Sequence, residues 1–128
     1  MIDAYIRKVA EVRRVLDGDT VELCIDLGHN TYHTSKHRLA GFDAPETWRP
    51  SNEAELAAGK KVSSYLTELL DKYKDSLYVQ TSKDPKIYGR YNATLYALDS
   101  AYNTPININE LVISFMTNYG LTKTKLKV

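Results

Sequence analysis

Eight consecutive residues, Thr20 to Leu27, alternate without a break. Val21, Leu23, Ile25 and Leu27 fall on one side, and Thr20, Glu22, Cys24 and Asp26 on the other. A period of two belongs to a strand with one face buried, so this stretch commits the chain to a sheet, with Cys24 on the wetter face. Gly28 to Asn30 is a turn signal, and the residues from Thr31 to Phe42 read as the return strand. Downstream the period changes. Leu56, Val62, Tyr65, Leu66, Leu69, Leu70 and Tyr73 recur at helical spacing, with Pro50 just outside, Asn52 placed to cap and Glu55 three residues on. The spacing predicts a helix from about Glu53 to Tyr73. Further strands are expected from Leu77 and from Tyr91, and a short helix over Asn109 to Met116. The opening segment reads both ways, because Ile6, Val9, Val12 and Val15 recur every three residues. The order of strand, hairpin, long helix, two strands and helix suggests a small barrel with packed helices, an α+β class.

At 128 residues the chain is long enough to bury a core of its own. A single domain is expected over residues 1–120, followed by a basic tail at 121–128. The formal net charge is only +1, so anion binding must come from local arrangement and not from a general basic field. One cysteine, Cys24, excludes an internal disulfide and fits a reducing compartment. The first residues carry no apolar run of signal-peptide or membrane-span length, so a cytoplasmic protein without a membrane partner is expected. Ten tyrosines stand against one Trp and two Phe; packing is the expected use for most of them, though tyrosines also stack on bases. His29, His33 and His37 are expected to be exposed strand and turn residues.

The charged residues at expected turns and strand ends carry the chemistry. They are Asp17 and Asp19 in "DGDT", Arg38, Asp43 and Glu46 in "RLAGFDAPE", and Arg90 in "YGRYN". Taken alone, "DGDT" is a turn: Gly takes positive φ freely and Asp bonds its own backbone. Carboxylates brought together would repel unless a cation sat among them, and hard divalent ions take oxygen ligands of this kind. Arginines nearby would match a phosphate, since the guanidinium fork binds its oxygens bidentately. Carboxylates, a hard metal and arginines together describe phosphodiester chemistry.

"DGDT", then "RLAGFDAPE" some twenty residues later, then a helix, then "YGRY", resembles the staphylococcal nuclease (thermonuclease-like) family over roughly Val12 to Val112. The helix "AAGKKVSSYLTELL" and the segment "ININELV" are similar to that family's first and second helices. The resemblance implies an OB-fold, a five-stranded Greek-key barrel that binds oligonucleotides, and makes the opening segment a strand. It implies one Ca²⁺ ion held by Asp19, Asp43 and the backbone carbonyl of Ala44. Arg38 and Arg90 would clamp the scissile phosphate, Tyr88 would bond a neighbouring one, and Glu46 would orient or deprotonate the attacking water. Asp17 would be structural.

The sequence departs from the family pattern at Ala44, where the best-known members have Thr, and at Ile87, where a lysine is frequent. It diverges after Val112, without the last helix of the classical secreted members. The expected function is a monomeric, calcium-dependent nuclease that cleaves single-stranded or transiently opened DNA and RNA to 3′-phosphate ends. Phage or plasmid origin is compatible with it. The alternative is an inactive OB-fold module that binds oligonucleotides or a protein partner; retention of Asp19, Arg38, Asp43, Glu46 and Arg90 favours the enzyme.

Overall fold

Strand β1 (Ile6–Asp17) explains the threefold spacing of the opening segment. In the computed structural model, which describes residues 6–47, 52–83, 91–98 and 104–121, it pairs antiparallel with β2 (Thr20–Gly28). The register slips between Val9 and Glu11, between Val12 and Arg14, and between Val15 and Asp17. Each slip places an extra residue in β1. Val9, Val12 and Val15 therefore lie opposite Ile25, Leu23 and Val21, matching a period of three on β1 to a period of two on β2. Bulges bend and twist a strand, which a closing sheet requires.

The hairpin continues into β3 (Thr31–Leu39) through Gly28, His29 and Asn30, at φ of 84°, 54° and 59°. Helix α1 (Glu53–Lys72) starts as the sequence predicts: Asn52 accepts a hydrogen bond from the Glu55 N–H at 2.8 Å. Strands β4 (Leu77–Lys83) and β5 (Tyr91–Ala97) follow, then a two-residue strand β6 (Ile106–Asn107) and helix α2 (Ile108–Asn118). The strands run in the order β3-β2-β1-β4-β5, and parallel pairing of β3 with β5 closes the ring. The result is a closed five-stranded mixed barrel with two helices, consistent with an OB-fold in the α+β class. The inward residues Val21, Leu23, Leu39, Leu77, Val79 and Leu95 are fully buried, and Val62, Leu66, Ile108 and Val112 bring the two helices into the same core. Tyr65 of α1 stacks on Phe115 of α2 with ring centroids 4.1 Å apart. Among the described residues no helix is long and apolar enough to cross a membrane.

Two expectations are corrected. Gly18 does not adopt positive φ. Its role is close approach: a Cβ there would overlap Val62 Cγ1 of α1 and lie 3.0 Å from the Ala44 Cβ. His37 is not exposed. Only 2% of its surface meets solvent, because β5 closes over that end of β3. His29 and His33 are exposed as expected. The packed chain reaches Leu121, which is buried and donates its N–H to the Met116 carbonyl at 2.8 Å; residues 122–128 of the expected tail lie outside the described residues.

Candidate active site

The β1–β2 turn holds its second aspartate against two other segments. Asp19 Oδ1 accepts from the Thr20 hydroxyl at 3.0 Å, and Oδ2 accepts from the Ala44 N–H at 2.9 Å. The Asp19 carbonyl takes the Leu39 N–H at 2.7 Å. The end of β3 and the segment after it are thus fastened to this turn by side chain and backbone alike.

Arg38 lies opposite Thr20 in the β2–β3 ladder, one residue from Asp19. Its guanidinium forms an ion pair with Asp43, approaches Asp19 Oδ2 at 3.9 Å and donates to the Phe42 carbonyl at 3.4 Å. Three residues singled out from sequence, Asp19, Arg38 and Asp43, therefore converge. They differ in access: the Asp19 side chain is 14% exposed and that of Asp43 67%. Asp19 is a fixed inner carboxylate, whereas Asp43 reaches solvent. Two carboxylates against one guanidinium leave the cluster net negative, and both converge on a single cationic group. A hard cation suits these oxygen donors, with water and substrate oxygens completing its usual six to eight ligands. Among the described residues, no group of three or more His, Cys, Asp or Glu side chains is close enough to hold a metal on its own.

The supports around this cluster were not all visible in sequence. Asp17 Oδ1 accepts from both the N–H and the hydroxyl of Thr47, at 3.2 and 2.5 Å. It ties the end of β1 to the residue after Glu46, a structural use as the sequence suggested. Gly59 lets α1 press on the same segment, since a Cβ there would lie 2.7 Å from the Pro45 carbonyl oxygen. Asn109, 3% exposed at the start of α2, was missed. It accepts from the Leu95 N–H and donates to the carbonyls of Ala40 and Ala93, each at 3.0 Å. In "ININELV" Asn109 stands two residues after Asn107, the α2 cap, and no local pattern sets it apart as the buried one.

Ala44 is buried, and Glu46 is half-buried between Asp43 and the Thr47 anchor. Tyr88 and Arg90 lie outside the described residues. The strand that follows them is placed: Tyr91 pairs with His37 and Asn92 with Arg38.

No protein-family model matches the chain. The chain is similar to Endonuclease YhcR of Bacillus subtilis (strain 168), at 39% identity over 84 residues. That match spans 62% of this chain and only 6% of the relative's length. The similarity supports a nuclease relationship at the level of this segment.

Proposed function

We propose that the chain is a calcium-dependent phosphodiesterase of the staphylococcal nuclease type, acting on single-stranded or transiently opened DNA and RNA. The observation that carries this reading is the convergence of Asp19 and Asp43 on Arg38 at one end of a closed OB-type barrel. The partial match to a protein named an endonuclease supports the same reaction class.

Asp19, Asp43 and the Ala44 carbonyl would hold one calcium ion. When bound, the ion supplies positive charge that neutralises the carboxylates and polarises a phosphate oxygen. Arg38 is shared between carboxylates in the free protein; turned outward from Asp43, it can donate to the scissile phosphate through two N–H groups. By the sequence resemblance, Arg90 and Tyr88, which precede β5 in the chain, would add further phosphate donors. Glu46 would accept a proton from, or orient, the attacking water. The water oxygen would bond to phosphorus as the P–O5′ bond breaks, and the 5′ oxygen would take a proton from solvent, leaving a 5′-hydroxyl and a 3′-phosphate. The Asp17–Thr47 tether and the α1 contact at Gly59 hold the segment carrying Glu46 in place, which is what a positioned general base requires.

Product analysis tests the reading. A 5′-labelled single-stranded oligonucleotide is digested with calcium, and the fragments are offered to a polymerase before and after phosphatase treatment. Extension only after phosphatase is expected. Fragments extendable at once would exclude 3′-phosphate formation, and no fragments at all would exclude the enzyme.

A further inference from the structure

The turn that carries Asp43 is held at both ends. It runs from Ala40 to Ala44, after the last residue of β3. At its far end the Ala44 N–H donates to Asp19 Oδ2 at 2.9 Å. At its near end the Ala40 N–H donates to the Ala93 carbonyl of β5 at 2.8 Å, and the Ala40 carbonyl accepts from Asn109 Nδ2 at 3.0 Å. Between the two anchors Gly41 turns the chain at a φ of 95°. Asp43 pairs with Arg38, and its side chain is 67% exposed. So little packing surrounds that carboxylate that the turn sets its place.

Asn109 is built to hold the near end. A side-chain amide offers one accepting oxygen and two donor N–H groups. Here Oδ1 accepts from the Leu95 N–H, and Nδ2 donates to the carbonyls of Ala40 and Ala93, each at 3.0 Å. Turned over, the amide would set its oxygen against two carbonyls and its nitrogen against an N–H, so the orientation is fixed. The residue is 3% exposed, and its helix is anchored by fully buried Ile108 and Val112. Buried groups satisfied in this way have one low-energy arrangement. A continuous path of contacts thus runs from the core through α2 and Asn109 to Ala40, and along the turn to Asp43.

We propose that Asn109 is a positioning residue for the Asp19–Asp43 pair: its amide fixes the near end of the Ala40–Ala44 turn and so sets the separation of the two carboxylates. This rests on the calcium-nuclease reading above and extends it to a residue that touches neither metal nor substrate. Carboxylates already held at their working separation need not be ordered when a cation binds. A loosened turn adds that ordering cost to calcium binding and misplaces the groups that meet the phosphate. Groups that orient metal ligands from behind typically contribute about 10–100-fold to affinity or activity.

The test compares Asn109→Ala with Leu70→Ala in the full chain. Leu70 is buried in α1, eleven residues or about 16 Å past Gly59, so its truncation weakens the core away from the turn. All readings are taken at a temperature where circular dichroism shows each protein fully folded. Calcium affinity is measured by calorimetry, kcat and KM on a single-stranded oligonucleotide, and the Ala44 amide proton resonance by NMR without calcium. Asn109→Ala is expected to raise the calcium Kd about tenfold, to lower kcat/KM by about tenfold or more, and to move the Ala44 resonance upfield as its bond to Asp19 lengthens. Leu70→Ala should leave the resonance in place and hold the calcium Kd and kcat/KM within about twofold of wild type, because a general loss of stability does not reach the turn. If Asn109→Ala does not fold, Asn109→Ser, which keeps a small hydrogen-bonding group, takes its place with the same outcomes expected. A wild-type calcium Kd with an unmoved Ala44 resonance in the Asn109 variant would overturn the positioning role and leave the nuclease standing. So would Leu70→Ala weakening calcium as much as the Asn109 variant does. A wild-type protein that binds no calcium and cleaves nothing would overturn both.

Discussion

Replacing Asn109 by alanine removes three hydrogen bonds in one step, and the structure allows the cost to be worked out group by group. Ala93 O keeps a partner, because the Ala40 N–H also donates to it at 2.8 Å. The Ala40 carbonyl and the Leu95 N–H each lose the partner that Asn109 provides. The Leu95 N–H is buried and the Ala40 carbonyl only partly so; at about 1–3 kcal/mol for a fully buried group, the two together cost about 3 kcal/mol. That is a large share of the ~5–15 kcal/mol stability of a domain this size. With a urea m-value of about 2 kcal/mol/M, the unfolding midpoint should fall by about 1.5 M. Equilibrium urea unfolding followed by far-UV circular dichroism measures this directly. A midpoint within about 0.5 M of wild type, at unchanged m, would refute the idea that Asn109 fastens β5 and the end of β3 to α2.

Three further outcomes are expected. Gly18→Ala should destabilise by about 1–3 kcal/mol through overlap with Val62, and Gly18→Ala with Val62→Ala should cost less than the sum of the single changes; strict additivity in a double-mutant cycle would dismiss close approach as the reason for glycine. Burial lowers the His37 pKa below the 6.5 usual for histidine, outweighing the raising effect of the Ser35 carbonyl, while His33 lowers it further. The unfolded chain therefore takes up this proton first as pH falls, so the contribution is fully present above about pH 6.5 and is lost below it, through the folded-state pKa; Tm should drop between pH 7.5 and 5, and less steeply in His37→Phe, whereas parallel profiles would remove His37 from the effect. Arg90→Lys should lower kcat by about 10²–10³ with little change in calcium affinity, because in the proposed mechanism a single donor would replace the planar fork at the phosphate; turnover within threefold of wild type would remove Arg90 from the mechanism.

Much of the barrel could be read from residue spacing alone. Val21, Leu23 and Ile25 alternate because β2 has one face in the core, and Leu27 completes the pattern yet is 46% exposed because it lies past the last β1–β2 pair, Lys8 with Asp26. Helix α1 was legible from its apolar stripe and its Asn52 cap. Strand β1 was not, since three bulges convert a strand's period of two into one of three, the spacing of a helix face. His37 was misread for a related reason. Its burial depends on β5 joining β3 in parallel, a contact between Tyr91 and His37 that no local pattern announces. In the candidate site, residue types in order picked out Asp19, Arg38 and Asp43. The groups that hold their segments came from distant partners: Thr47 is 30 residues from Asp17, and Ala40 is 69 from Asn109. Tyr88 and Arg90 rest on sequence resemblance, as they lie outside the described residues.

The central claim is that Asp19 and Asp43 form a calcium site that drives phosphodiester cleavage. Heat-denatured DNA is incubated with wild type and with Asp19→Ala, each in calcium and in EGTA, while Tm is recorded for all four samples. Wild type in calcium should cleave the DNA, and calcium at a hundredfold excess over its Kd should stabilise it by about 2.7 kcal/mol. EGTA should abolish both effects, and Asp19→Ala should show neither. Cleavage that persists in EGTA, or in Asp19→Ala at the wild-type rate, would contradict the account.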